Sequence, residues 1–159
     1  MASTAAKVIS LDAALAWRNS LRGPLVFTNG VFDLIHPGHV EYLESARALG
    51  SHLLVAVNTD RSARGLSKGS GRPVADERAR ARVVAGLHAV DAVVMFDAPT
   101  PLGLITSLAP DVLVKGGDYS RDAIVGADEV EASGGRVVVI PFISGYSTTA
   151  LVERCRAAT

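Results

Sequence analysis

The sequence predicts an α/β protein with a doubly wound, Rossmann-like open sheet of five parallel strands and helices on both faces. Apolar runs rich in Val, Leu and Ile recur without polar alternation, as in strands covered on both sides. Helix-like amphipathic stretches separate them, and the alternation repeats along the chain of 159 residues. Ligands of such folds bind where the parallel strands end, so we expect function in the loops after the strands.

The elements follow from these runs in chain order. The predicted strands cover residues 25–27, 53–57, 92–96, 112–114 and 137–140. A first helix is predicted over 11–21, with Ser10 as its cap. Apolar residues at three-residue steps predict a second helix up to residue 49, ended by Gly50 as a C′ glycine. Further helices are predicted over residues 75–88, 101–108, 122–132 and 148–156, and an irregular binding loop or plain connection over 61–74.

Composition narrows the classes of function. The 16 Lys and Arg residues balance 16 Asp and Glu residues, which argues against a broad nucleic-acid surface. The single cysteine, Cys155, excludes an internal disulfide or a cysteine-rich zinc site. No apolar run approaches the roughly 20 residues of a membrane span, and the N-terminus lacks a signal-peptide pattern. We therefore expect a cytoplasmic protein without nucleic-acid or membrane partners.

The most informative segment is TNGVFDLIHPGH, residues 28–39, which follows the first strand and leads into a helix. Pro37 suits a first helical position, and a helix start offers free N–H groups to a phosphate. His36 and His39 are three residues apart, so both imidazoles can reach one side of that helix start. A capping or surface role for this pair is equally compatible with the pattern. Zinc is disfavoured because no third ligand lies nearby in sequence.

Residues 28–39 resemble the HxGH signature of the nucleotidyltransferase superfamily that includes the cytidylyltransferases. The Ser-Thr-Thr stretch opening the last helix (147–149) and residues 55–60 resemble further signatures of that superfamily. Within it, residues 115–119, 124–127 and 145–149 are most similar to the D-glycero-D-manno-heptose 1-phosphate adenylyltransferases. The resemblance implies a single nucleotidyltransferase domain over 25–159 and an N-terminal extension with one helix over 1–24.

The resemblance also implies a reaction. ATP and heptose 1-phosphate would give ADP-heptose, for the inner core of lipopolysaccharide, and pyrophosphate, with Mg²⁺ on the triphosphate and a homo-oligomer of dimer size or larger. Two alternatives stay open: a cytidylyltransferase for glycerol 3-phosphate or another polyol phosphate, and a catalytically silent nucleotide-binding module. Phe142 stands where the glycerol-phosphate enzymes carry an arginine, which argues against the first alternative.

The resemblance implies three groups of site residues. The catalytic group is His36, His39, Lys68 and Arg80. Nucleotide contacts are expected from Asn29, Gly30, Val31, Phe32, Gly38, Lys115, Gly117, Asp118, Gly145, Ser147, Thr148 and Thr149. The sugar phosphate is expected to meet Asp33, Lys115 and Tyr119, and no metal ligand is expected from the protein.

Positive charge is concentrated in one part of the chain. Residues 61–82 contain seven Lys and Arg residues against two acidic ones, which favours binding of a polyanionic ligand there. Arg78, Arg80 and Arg82 lie two apart, so a helix cannot turn all three the same way. Counting from Val90 and Asp91, the resemblance places Arg80 at the family's phosphate-contacting arginine, although the choice among the three stays open.

Overall fold

The computed structural model describes residues 3–66 and 71–158 and contains a single sheet of five parallel strands in the order β3-β2-β1-β4-β5. The predicted fold class is confirmed. The strands are β1 (Leu25–Gly30), β2 (His52–Asn58), β3 (Ala92–Phe96), β4 (Val112–Gly116) and β5 (Arg136–Ile140). The helices are α1 (Leu11–Ser20), α2 (Pro37–Arg47), α3 (Asp60–Arg64), α4 (Glu77–Gly86), α5 (Leu102–Leu108), α6 (Ala127–Ala132) and α7 (Thr148–Ala157), with short 3₁₀ turns at Thr4–Lys7 and Arg121–Ala123.

Both faces of the sheet are covered. One face packs against α1, α5 and α6, which contribute Ala14, Ile105, Leu108 and Val130 to a buried apolar cluster. The opposite face packs against α2 and α4, with Leu43, Ala46, Ala81, Val84 and Ala85 in the second cluster. Burial on both sides explains why the strands are continuously apolar rather than alternating.

The sheet opens at its topological switch point. β1 pairs with β2 over its whole length, from Leu25 opposite His52 to Gly30 opposite Val57. On the other side, the part of the chain that the structure describes pairs β1 with β4 only at Val26 and Phe27. The two strands therefore separate beyond Phe27, and the gap between their carboxyl ends is the place where such folds bind ligands.

Three local predictions need correction. The predicted helix over 122–132 is interrupted at Gly126, whose φ of +87° suits glycine and whose added Cβ would lie 2.6 Å from Ile105 Cδ1. The sequence predicts that Gly50 ends α2 as a C′ glycine, but it does not adopt the left-handed conformation of such a cap. Close packing requires the glycine instead, because an added Cβ would lie 2.7 Å from Val26 Cγ2. The irregular segment over 61–74 begins inside α3, with Thr59 as its cap.

Candidate active site

The two histidines lie at the start of α2, beside the gap between β1 and β4. His36 is the N-cap with extended backbone, and Pro37 occupies the first turn as predicted. The carbonyl of His36 accepts the N–H of His39 at 2.9 Å. This turn stacks the two imidazole rings, with centroids 3.9 Å apart and planes inclined by 22°. The structure therefore brings together the pair that the sequence singled out.

Close packing around the histidines fixes their orientation. Phe32 adopts φ of +49°, and its ring lies 5.5 Å from that of His39. A Cβ on Gly38 would lie 3.1 Å from His36 Nδ1 and 3.2 Å from Tyr146 Cβ, so a larger residue would displace the imidazole or the neighbouring loop. Gly30 is similarly tight, with an added Cβ 3.0 Å from the Phe32 ring. The glycines of the motif make room for side chains that position the histidines.

Burial sets the electrostatics of His36. Its desolvation lowers the pKa of the imidazole, outweighing a backbone hydrogen bond of the same residue that acts in the opposite direction. Its Nδ1 is buried and has no hydrogen-bond partner among residues 3–66 and 71–158. A buried polar atom of this kind, next to a cleft, is a candidate to meet a ligand.

The start of α7 lies against the start of α2. Ser147 is the N-cap, and its Oγ accepts the N–H of Ala150 at 3.0 Å. Thr148 Oγ1 donates to the carbonyl of Leu34 at 3.5 Å, and the Tyr146 ring lies 6.2 Å from that of His36. Gly145 (φ of +90°) and the exposed Thr149 flank this contact. Two helix N-termini therefore border the same cleft, and the partial positive charge of a helix N-terminus favours a phosphate.

The end of β4 forms the other wall. Lys115 Nζ donates to Asn29 Oδ1 at 3.4 Å, across the gap between β4 and β1. The same ammonium lies 5.7 Å from the centre of the Tyr119 ring. Gly117 adopts φ of +117°, and its N–H donates to the carbonyl of Ile140 at 2.9 Å, while Asp118 is exposed. The end of β4 therefore places Lys115 at the gap beside β1, while nucleotide contacts of Gly117 and Asp118 stay predictions.

Arg80 makes its described hydrogen bonds within the protein. Its side chain is fully buried. Nε donates a hydrogen bond to the carbonyl of Ala75 at 3.0 Å, and Nη1 donates one to the carbonyl of Val31 at 2.6 Å. Nη2 donates to the carbonyl of Asn58 and to Asp60 Oδ1, both at 2.8 Å. In this structure the guanidinium holds together the ends of β1, β2 and the segment before α4, and a phosphate contact stays a prediction.

Asp33 is also engaged within the protein. Its carboxylate is almost fully buried, and it accepts hydrogen bonds from Arg72 Nε and from the backbone N–H groups of Val74 and Ala75, all between 2.9 and 3.0 Å. Contact of Asp33 with the sugar phosphate stays a prediction. The carboxylate anchors residues 72–75 to the loop after β1.

The remaining basic residues divide between exposed and paired positions. Lys68 lies outside the described residues. Arg78 is exposed, and Arg82 donates to Thr4 Oγ1 at 2.8 Å on the far side of α4. Arg61 pairs with Asp97. Three of the seven Lys and Arg residues over 61–82 pair with aspartates, Arg61 with Asp97, Arg72 with Asp33 and Arg80 with Asp60, which reduces the charge open to a ligand.

Two residues of the site were not predicted. Tyr42 follows His36 and His39 at the same three-residue spacing, a signal available in the sequence, and its hydroxyl lies 2.6 Å from Thr28 Oγ1. Burial raises the pKa of Tyr42 to about 12, and the hydrogen bond to Thr28 acts in the opposite direction. Phe142, 74% exposed, lies over Gly117, and nothing in its local sequence indicated that contact.

The family model described as cytidylyltransferase-like matches residues 27–154. The chain belongs to the cytidylyltransferase-like family. The match begins in β1 and runs into α7, so it includes both helix starts that border the cleft. The family assignment agrees with the resemblance carried by the HxGH segment.

Curated relatives of this cytidylyltransferase-like chain include the bifunctional protein HldE of Koribacter versatilis, 51% identical over 94% of the chain. The protein of the same name from Bradyrhizobium diazoefficiens is 55% identical over 92% of the chain. The chain spans only about a third of these relatives, 31% and 30% of their lengths.

Solved structures show the same fold. A lipopolysaccharide core biosynthesis protein from Thermoplasma volcanium aligns with a TM-score of 0.64 and 28% identity, covering 79% of this chain and 100% of that one. Pantothenate synthetase from Thermus thermophilus aligns with a TM-score of 0.57 at 19% identity, covering 86% of this chain and 62% of that one, which supports the fold alone. No helix among the described residues is long and apolar enough to cross a membrane.

Proposed function

We propose that this chain transfers AMP from ATP to D-glycero-D-manno-heptose 1-phosphate, giving ADP-heptose and pyrophosphate for the lipopolysaccharide inner core. The observation that carries the proposal is the stacked pair of His36 and His39, in a cytidylyltransferase-like chain about half identical to proteins named HldE. The likeness to a lipopolysaccharide core biosynthesis protein from Thermoplasma volcanium agrees with this assignment.

The reaction needs no protein nucleophile. An oxygen of the sugar phosphate, already an anion at neutral pH, attacks the α-phosphorus of ATP in line. The new P–O bond forms as the bond between the α-phosphorus and the bridging oxygen of the β-phosphate breaks, and pyrophosphate leaves with that electron pair. Catalysis then consists of positioning the reactants and stabilising the charge that develops on the phosphoryl oxygens.

The described residues supply these interactions from three sides. His36 and His39 donate hydrogen bonds to phosphoryl oxygens, and the N–H groups at the start of α7 hold the β- and γ-phosphates. Lys115, at the end of β4, adds a positive charge next to Asn29. Arg80 and Asp33 hold the surrounding loops, and Lys68 completes the set as a proposed phosphate contact.

We propose that a magnesium ion would enter this site together with the nucleotide. No group of three or more acidic, histidine or cysteine side chains among the described residues could hold a metal ion by itself. Mg²⁺ commonly takes substrate phosphate oxygens and water with few protein ligands, and it would neutralise charge on the triphosphate.

Further proposals are a cytoplasmic location, a homo-oligomer, and a transferase domain over 25–159 preceded by the extension 1–24.

The test is a pyrophosphate-release assay in which ATP and CTP are each combined with heptose 1-phosphate and glycerol 3-phosphate. We expect turnover with ATP and heptose 1-phosphate. CTP-dependent turnover with glycerol 3-phosphate would replace the proposal with a cytidylyltransferase, and nucleotide binding without turnover on any sugar phosphate would indicate a silent module.

The role of the histidine pair is tested with a matched substitution. His39→Ala should lower kcat by about 10²-fold or more, because one donor to the transition state is lost. His88→Ala removes an exposed histidine away from the cleft and should leave kcat unchanged. If His39→Ala keeps the wild-type kcat, as His88→Ala should, then His39 has a structural role.

A further inference from the structure

The exposed aromatic side chains are concentrated at one edge of the molecule. All eight Phe, Tyr and Trp residues lie in the part of the chain that the structure describes. Three of them are exposed, and all three lie in the loops after β4 and β5: Tyr119 at 47%, Phe142 at 74% and Tyr146 at 47%. Exposed aromatic rings grouped beside a cleft commonly mark a binding surface.

Phe142 lies on two glycines. A Cβ on Gly116 would lie 3.1 Å from Phe142 Cε1, and a Cβ on Gly117 would lie 2.7 Å from Cε2. Gly117 is further constrained by its φ of +117° and by its hydrogen bond to the carbonyl of Ile140. Side chains larger than hydrogen at these positions would lift the ring, so the loop after β4 supports one side of Phe142 while much of the ring stays open to solvent.

The supported ring lies next to the cleft between β1 and β4. Tyr42, one turn after His39 in α2, packs against the same Gly116, whose added Cβ would lie 3.0 Å from Tyr42 Cε2. Four residues after Phe142, Tyr146 packs beside His36 at the start of α2. The loop that carries Phe142 therefore connects the β4 wall with the histidine pair, and a nucleotide with its phosphates at the histidines has its base within reach of this wall.

We propose that Phe142 is the stacking surface for the base of the bound nucleotide and favours a purine over a pyrimidine. This inference rests on the proposed nucleotidyltransferase function. An aromatic ring stacks on any base, and a two-ring purine overlaps it over a larger area than a one-ring pyrimidine. Phe142 carries no charge for the phosphates, so its contribution is to the base.

Equilibrium binding of ATP, CTP and inorganic tripolyphosphate to the free protein tests this inference, with no sugar substrate present. Phe142→Ala should weaken ATP binding about 10-fold, a typical loss for one base–aromatic stack. The same substitution should weaken CTP binding by a smaller factor. Tripolyphosphate has no base, so its affinity should not change. Phe142→Tyr should bind ATP like wild type, whereas Phe142→Leu keeps apolar bulk on the glycines but should lose ATP affinity.

Val83→Ala, which truncates a half-exposed apolar side chain on α4, is the matched control and should change none of the three affinities. Unchanged ATP binding in Phe142→Ala and Phe142→Leu would overturn the inference, as would an equal loss for ATP and tripolyphosphate. A shift in oligomeric state without a change in ATP affinity would assign Phe142 to a protein interface instead. If wild type binds ATP through Phe142 but does not use heptose 1-phosphate, the proposed substrate fails while this inference stands.

Discussion

The guanidinium of Arg80 donates all four of its described hydrogen bonds to protein oxygens. Three acceptors are backbone carbonyls, of Val31, Asn58 and Ala75, and the fourth is the Asp60 carboxylate. A buried cation is tolerated only when it is paired and hydrogen-bonded. Arg80 therefore contributes to the site by fixing the loops after β1 and β2, on which the histidine motif depends.

Removing Arg80 should cost stability. Arg80→Ala leaves the three carbonyls and Asp60 without their buried donor, and we expect the free energy of unfolding to fall by about 3–5 kcal/mol. Arg78→Ala, two residues earlier and exposed on the same helix, should change it by less than about 0.5 kcal/mol. Urea denaturation measures both. If Arg80→Ala unfolds like Arg78→Ala but binds ATP more weakly, the predicted phosphate contact is correct.

The lowered pKa of His36 predicts how nucleotide binding depends on pH. Burial favours the neutral imidazole in the free protein, whereas bound phosphate favours the imidazolium and raises the pKa. Between the two pKa values the complex holds more protons than the free protein, so ATP affinity should rise as pH falls through that window, by at most about 10-fold per pH unit.

Calorimetry in buffers of different ionisation enthalpy measures this proton uptake directly. His36→Gln should abolish the uptake, and the difference from wild type removes the titration of ATP itself. His88→Gln serves as the control, since His88 is exposed and away from the cleft. An uptake that persists in His36→Gln would assign the proton to another group.

At the scale of elements, the segment before α1 lies against the outer edge of the sheet. Val8 forms a parallel bridge with Val93 of β3, and Ile9 N–H donates to the Val93 carbonyl at 2.9 Å. Lys7 Nζ donates to the carbonyls of Val90 and Leu87, at 2.6 and 3.4 Å, where α4 ends. These contacts cover a strand edge and place a cation at the negative end of a helix dipole.

The contribution of this segment is measurable in a single substitution. Lys7→Met keeps the aliphatic stem but loses the charged hydrogen bonds, and we expect the free energy of unfolding to fall by about 1–2 kcal/mol. Arg22→Met, at an exposed position, should change it by less than about 0.5 kcal/mol. Equal denaturation midpoints for the two variants would show that the Lys7 contacts contribute nothing.

The sequence predicts the elements better than the contacts between them. Continuous apolar runs identify the strands because both faces of the sheet pack against apolar side chains, although β5 is only partly buried. The preference of proline for the first helical position locates the start of α2. The close packing of Gly126 against Ile105, some twenty residues earlier, involves a contact that no local pattern reveals. The burial of Arg80 likewise depends on carbonyls from two other loops, so a charge count over 61–82 overstates the charge open to a ligand.

At the scale of the whole molecule, the cleft divides the sheet into β1–β3 on one side and β4–β5 on the other. The strands across it pair only at Val26 and Phe27 among the described residues, whereas β1 and β2 pair along their full length. Beyond Phe27, the described contacts across the gap include the hydrogen bond from Lys115 to Asn29. Tyr42 contacts both strands, because its hydroxyl is hydrogen-bonded to Thr28 and its ring packs against Gly116. A nucleotide held by both walls would therefore join the two parts.

This geometry predicts where ATP should protect the protein from hydrogen exchange. ATP at 100 times its dissociation constant should raise the free energy of unfolding by about 2.7 kcal/mol. Local protection should increase on both walls, at residues 28–39 and at 115–119 with 142–149, because each wall contributes contacts to the ligand. Hydrogen exchange followed by mass spectrometry resolves these segments, with residues 102–108 of α5, away from the cleft, as the internal reference. Protection of residues 28–39 alone would mean that the nucleotide does not bridge the sheet. The loops after β4 and β5 would then need another ligand.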